Sequence, residues 1–398
     1  MLGVTRLLGG VRTETDHLRY GPEQQAAWHR PVVVWTVTRR CNLACIHCYA
    51  AAANTSFPGE LTTDEGKALL TDLASFGVPV VLLSGGEPLI RPDILELARF
   101  ARSLGLRITI STNGTLITAD LASQLAEIGV GYVGISLDGV DETHDYFRGQ
   151  TGAFEAALRG IRHCKSAGIR VGVRLTLTRH TVGDLPRLFD LIEREGINRV
   201  CFYHLVPSGR GRLLLRDLLS PDEMRNAVED IFRRAMEYTE RGVPIELLTV
   251  DNHADAAFLT LWLERQRGPA AAAQARAVLG RSGGNRSGIA IGHIDNRGDV
   301  HPDQFWWSCK LGNVRERPFS AIWSDPSHPI LAGLRDRRPL LKGRCGACHF
   351  LDVCNGNFRS RAATMTGDPW APDPSCYLTD DEIGVGQAAT PKEVAVGT

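Results

Sequence analysis

The chain has 398 residues, 43% of them hydrophobic and 23% charged, enough to bury the core of two or three domains. Its 45 basic residues balance 45 acidic ones, which argues against a general nucleic-acid or anionic-membrane binder. The opening "MLGVTRLLGGVRTETDHLRYG" turns polar too soon for a secretory signal, and no run approaches the ~18 apolar residues of a membrane span. A cytoplasmic protein is expected, so its ten cysteines read as metal ligands before disulfides where they cluster.

An N-terminal segment, 1–30, precedes the first β-rich run. Across 31–215 short apolar runs at 31–38, 78–84, 106–112, 132–138, 169–177 and 199–206 alternate with amphipathic helical patterns. The runs are apolar throughout, as in parallel strands covered on both faces. Thr62 and Glu65 form a capping box, Thr118 and Gly152 open further helices, and Pro92 suits a first helical position in a helix closed at Gly105. Six such βα units predict an α/β fold, either a parallel sheet or an incomplete barrel, with chemistry at the C-terminal strand ends. Residues 216–288 read as a helical connecting region, opened by Ser220 and Glu223 and closed by the loop "RSGGNRSG". Residues 289–380 form an irregular module rich in Cys, Trp, Gly and Pro, and 381–398 read as a flexible tail.

Cys41-x3-Cys45-x2-Cys48 follows the first predicted strand directly. Iron–sulfur clusters normally take four thiolates, so three leave one iron open to an outside ligand. A zinc ion with a distant fourth ligand is the plainer alternative. The next three strand ends carry "SGGEP" (84–88), "STNG" (111–114) and "SLDG" (136–139). With the aromatic Tyr49 after Cys48, this set resembles the radical S-adenosylmethionine (SAM) enzymes. The resemblance implies a partial (β/α)6 TIM-like barrel in which Cys41, Cys45 and Cys48 hold a catalytic [4Fe–4S] cluster. Its open iron would bind SAM, whose one-electron cleavage gives methionine and a 5′-deoxyadenosyl radical that takes a hydrogen atom from substrate. Tyr49, Gly85, Gly86, Glu87, Asn113, Ser136, Asp138 and Arg174 are then the expected SAM-binding residues. Glycine lets backbone approach a ligand closely, Glu87 offers a carboxylate to an ammonium, and Asn113 and Ser136 offer neutral hydrogen bonds. Arg174, a cation in an apolar strand, suits the SAM carboxylate or an ion pair with Asp138; Asp138 could equally shape the turn with Gly139.

Cys345-x2-Cys348-x5-Cys354 and Cys376 complete a four-thiolate site, for zinc or for iron and sulfide. Behind a radical SAM barrel it resembles the SPASM or twitch extension, which implies an auxiliary [4Fe–4S] cluster. One such cluster is expected, because Asp303 stands where these modules usually place a first cysteine. Cys309 reads as a lone thiol, and Cys164 and Cys201 as packed core residues.

The stretches "YHLVPSGRGR", "LLTVDNHADAAF", "HPDQFW" and "GRCGACHFLDVCNGNFRSRA" extend the likeness across nearly the whole chain, to the radical SAM proteins of siroheme-derived tetrapyrrole synthesis. The implied substrate is 12,18-didecarboxysiroheme, which loses propionates in the haem d1 branch or acetates in the alternative haem branch, giving iron-coproporphyrin III. "LRYG", "TVDNHAD" and "HPDQFW" look closer to the acetate-removing branch. A small ferredoxin or flavodoxin would supply electrons. For an anionic macrocycle, Arg210, Arg212, Asn285 and Arg286 are candidate grips, against a plainer reading as surface residues. Trp306 and Trp307 could stack on it or pack the module. His204, His253 and His301 are candidate iron ligands or proton donors, or structural histidines. Two readings compete: a SPASM-type peptide-modifying maturase, for which the segment before strand one is short, and a non-catalytic iron–sulfur electron-transfer protein, which needs neither an open iron nor GGEP.

Overall fold

The computed structural model describes residues 1–10, 12–13, 16–20 and 30–386. Its strands are β1 (Leu2–Gly3), β2 (Val32–Thr36), β3 (Val81–Ser84), β4 (Ile108–Thr112), β5 (Tyr132–Ser136) and β6 (Val171–Leu177). β7 (Arg199–His204), β8 (Glu246–Val250), β9 (Ile291–Ile294), β10 (Asp299–His301) and β11 (Gly312–Asn313) follow. They form one sheet in the order β1-β8-β7-β6-β5-β4-β3-β2-β9-β10-β11. From β8 to β9 every pairing is parallel; β1, β10 and β11 are antiparallel additions at the edges.

The parallel strands are buried on both faces, with Val33, Trp35, Val81, Ile108, Ile110 and Val133 wholly inaccessible. Helices after each strand, such as Thr63–Phe76, Ala119–Ile128 and Leu185–Glu195, set their apolar stripes into the same core. Both expected capping boxes form, at Thr62 with Glu65 and at Ser220 with Glu223, and Thr118 caps its helix through Leu121 N–H. Pro92 lies two residues before its helix, which runs Ile94–Ser103 from an Asp93 cap.

Three differences from the sequence reading stand out. β8 lies inside 216–288, where only helix was expected; its five residues are short beside the flanking helices Pro221–Glu240 and Ala254–Arg267. β9 pairs with β2, so the sheet runs across the boundary placed at 288. The tail begins later than 381, since Ile383 is buried and Glu382 pairs with Arg225; the rest of it, 387–398, lies outside the described residues. No helix among the described residues is long and apolar enough to cross a membrane.

The strand register sets Ser84 beside Thr36, Arg174 beside Ser136 and His204 beside Leu177. The polar residues that end successive strands therefore gather at one end of the sheet, where α/β folds place their chemistry.

Candidate active site

The loop after β2 carries Cys41, Cys45 and Cys48, which pack with Leu43, Ala52 and Ala153; the first two are buried and the third half-buried. Each sulfur has at least one N–H aimed at it: Leu43 N–H on Cys41 at 3.4 Å, Ala52 N–H on Cys48 at 3.4 Å, and Arg148 Nη1 on Cys45 at 3.5 Å. Donors of this kind stabilise thiolate sulfur and tune a bound cluster. Without a metal, burial pushes the Cys41 thiol up to about 12; iron bound there would hold it deprotonated. Among the described residues no three His, Cys, Asp or Glu side chains are close enough to share one metal ion. A four-iron cluster spreads its ligands wider, because each thiolate takes a different iron. The donor set fits such a cluster.

Beside the loop lies an open cleft walled by the ends of the parallel strands and by the cysteine loop. Ser84, Ser111, Ser136 and Arg174 come to it from the ends of β3 to β6, and Tyr49 from the cysteine loop. Tyr49 Oη and Ser84 Oγ are 3.3 Å apart. Arg174 is inserted where Gly134 leaves room: a Cβ there would stand 2.4 Å from the guanidinium. Its Nη1 donates to Ser111 Oγ, while its buried Nε has no partner. A half-buried guanidinium with an unfilled donor and no ion-pair partner among the described residues is a place for an anion.

Asp138 is not that acid. It pairs with Arg148 and accepts Thr176 N–H at 2.6 Å, and the guanidinium holds its carboxyl below the usual range despite full burial. His47, stacked on Phe147 at 4.3 Å, lies 3.8 Å from the same carboxylate, and burial lowers it to about 4. Arg148, His47 and the Arg148–Asp138 pair were not singled out from the sequence. "FRGQ" carries no local signal, because its partners lie on other strand ends.

Several expected SAM contacts also make structural contacts away from the cleft lining. A Cβ on Gly85 would stand 2.4 Å from Thr38 O, and one on Gly86 2.5 Å from Arg40 O. These glycines make room for the backbone leading into the cysteine loop, and neither lines the cleft. The fully buried Glu87 takes Thr112 Oγ1 at 2.8 Å, Asn113 N–H at 2.8 Å and Leu89 N–H at 3.1 Å, and burial pushes its carboxyl up to about 7. It ties β3 to β4 and does not reach the cleft. Asn113 supports the loop, donating to Asn42 Oδ1 at 2.9 Å with Cys41 Sγ 3.9 Å away.

Among the expected substrate contacts, only His204 lines the cleft. Its Nε2 is 2.8 Å from Asp255 Oδ2, whose other oxygen accepts the Tyr377 hydroxyl at 2.7 Å. Arg210 instead clamps the cysteine loop, donating to Cys45 O at 2.8 Å and Ala52 O at 2.6 Å. Arg212 is exposed, and Arg286 is half-buried away from the cleft lining, its guanidinium lowered by burial to about 10. Asn285 accepts from Arg337 at 2.8 Å. His301 is held by Cys309 O at 2.9 Å and stacks on His293, and His253 meets Asn357 through its backbone. Neither Trp306 nor Trp307 lines the cleft; Phe305 does, presented by Asp303, whose Oδ1 accepts its N–H at 2.9 Å.

The second quartet comes together. Cys345, Cys348, Cys354 and Cys376 line one pocket, with Phe350 N–H donating to Cys348 Sγ at 3.3 Å. Tyr377, next to Cys376, donates its hydroxyl to Asp255, the residue that also holds His204 of the cleft. Cys164 and Cys201 are buried in the core.

A family model described as Radical SAM superfamily matches residues 35–192. The chain is 51% identical to the Fe-coproporphyrin III synthase of Methanosarcina barkeri over 98% of this chain and 100% of that protein. It is 47% identical to the pre-heme d1 synthase of Dinoroseobacter shibae, over 89% and 88% of the two. Among solved structures, Streptococcus suis SuiB bound to precursor peptide SuiA superposes with a TM-score of 0.69 over 90% of this chain and 78% of that one, at 19% identity. That likeness concerns the fold.

Proposed function

The chain belongs to the radical SAM superfamily, and from that premise we propose that it removes the acetate side chains of 12,18-didecarboxysiroheme, giving iron-coproporphyrin III. The observation that carries this reading is the 51% identity to an Fe-coproporphyrin III synthase along the whole of both chains. The 47% identity to a pre-heme d1 synthase supports the wider class, a radical SAM enzyme acting on haem-pathway tetrapyrroles.

In this reading Cys41, Cys45 and Cys48 hold the SAM-binding [4Fe–4S] cluster, and Cys345, Cys348, Cys354 and Cys376 hold one auxiliary cluster. When bound, the first cluster and SAM supply a 5′-deoxyadenosyl radical able to abstract hydrogen from the substrate. The chain's own residues bind and orient. Arg174 takes the SAM carboxylate, Ser84, Ser111, Ser136 and Tyr49 line the co-substrate's place, and the Arg148–Asp138 pair fixes Cys45. His204, held by Asp255, faces the tetrapyrrole. A small ferredoxin or flavodoxin is the electron donor, in a cytoplasm that keeps the thiols reduced.

The test is anaerobic reconstitution with iron and sulfide, followed by SAM and dithionite. Wild-type protein should form 5′-deoxyadenosine, and Cys45→Ala should not, while keeping the absorbance of the auxiliary cluster. Cleavage persisting in that variant would remove the cysteine loop from the chemistry.

A further inference from the structure

After Val250, the last residue of β8, the chain turns with a φ of 68° at Asp251. This left-handed backbone is one that Asp and Asn tolerate and branched residues avoid. The turn sets Asp251 in the cleft wall beside Tyr203, His204, Gln304 and Phe305, none of which belongs to the cysteine loop. The residue is 6% exposed, and its buried Oδ2 has no hydrogen-bond partner among the described residues. Its backbone, by contrast, is anchored: Asp251 O accepts Arg361 Nη1 at 3.0 Å, and Arg361 is itself held by both oxygens of Asp373. The fold fixes the main chain and leaves the carboxyl unpaired among the described residues at the edge of the cleft, an arrangement that costs stability unless a ligand fills it.

We propose that Asp251 is a substrate-contacting acid, which in its neutral form donates a hydrogen bond to a carboxylate of the bound tetrapyrrole. The proposal rests on the tetrapyrrole reading above and adds a recognition residue to it. An ionised carboxylate in this wall would repel an anionic macrocycle, whereas a carboxylic acid offers it a donor. The charged groups that act on Asp251 are the terminal amine, Arg361 and Arg174, which favour the ionised form, and Asp303, which opposes it. Burial outweighs the cations and pushes the carboxyl up to about 7. Below that pH the donor is present, and above it the donor is lost. The tetrapyrrole's own carboxylates, with ordinary values of about 4–5, stay ionised throughout.

The test is an absorbance titration of 12,18-didecarboxysiroheme into anaerobically reconstituted enzyme between pH 6 and pH 9, for wild type and Asp251→Asn. Asparagine keeps the shape and accepts the left-handed backbone. Wild-type affinity should fall above pH 7, approaching about tenfold per pH unit, the slope set by one proton linked to binding. D251N should lose that slope. A wild-type profile flat across pH 7 overturns the proposal without any variant, so the test stays decisive even should D251N not fold. Parallel sloping profiles for the two proteins also overturn it, as does a slope found in SAM affinity in place of tetrapyrrole affinity. No tetrapyrrole binding by wild type at any pH would instead defeat the functional reading, and this proposal with it.

Discussion

Arg148 donates from Nη1 to the sulfur of Cys45 at 3.5 Å while its other terminal nitrogen pairs with the buried carboxylate of Asp138. A residue of the helix Glu142–Arg148 thus links the turn after β5 to the middle cysteine of the loop after β2. Both charges are almost fully out of water, so each is tolerable because the other is there.

Replacing Arg148 with Met should therefore be costly for the fold as well as for the cluster. An uncompensated carboxylate at Asp138 predicts a loss of about 3–5 kcal/mol. The check is a lower denaturant midpoint with unchanged slope.

Arg174 behaves in the opposite way. Its guanidinium has no ion-pair partner among the described residues, so Arg174→Gln removes a half-buried charge without breaking a salt bridge. Folding stability should hold, while SAM affinity falls roughly tenfold to hundredfold, the worth of a charge-assisted hydrogen bond of about 1.5–3 kcal/mol. Calorimetric titration of SAM into the reconstituted protein reads this directly. Unchanged affinity would place the SAM carboxylate elsewhere.

Arg210→Met separates two roles for one residue. As a clamp on Cys45 O and Ala52 O it protects the cysteine loop, and each stranded acceptor costs about 1–3 kcal/mol. The expected outcome is less iron retained per chain after gel filtration. A full iron complement with weakened tetrapyrrole binding would return Arg210 to the substrate.

Gly86→Ala tests whether that glycine serves packing. The new methyl would meet Arg40 O and Arg39 O at 2.5 and 2.6 Å, so backbone beside the cysteine loop must shift, at about 1–3 kcal/mol. Gly183→Ala, with nothing within 4 Å of its Cβ, should stay within about 0.5 kcal/mol of wild type. Thermal melts of the pair give the contrast.

Much of the scaffold was legible because its signals are local. Continuous apolar runs marked β2 to β7, and cysteine spacing marked both thiolate groups. β8 was hidden by the helices around it, and β9 by a module boundary that its pairing with β2 ignores. In the site, the sequence shows residue types but not the partners that the fold brings to them. Glu87, Gly85, Gly86 and Arg210 carry the right chemistry for ligands, and the structure adds a second role for each in holding the cysteine loop or its neighbours. Asp251 lies within the quoted stretch "TVDNHAD" yet is not singled out there, because its interest lies in burial, a left-handed turn and an unfilled oxygen, none of which a linear pattern displays.

The measurement that bears most directly on the central claim is the mass of the product after anaerobic incubation of reconstituted enzyme with SAM, reductant and 12,18-didecarboxysiroheme. Loss of two acetate side chains, giving the mass of iron-coproporphyrin III, is the predicted result. Unaltered tetrapyrrole alongside vigorous formation of 5′-deoxyadenosine, or loss of propionates in place of acetates, would contradict it.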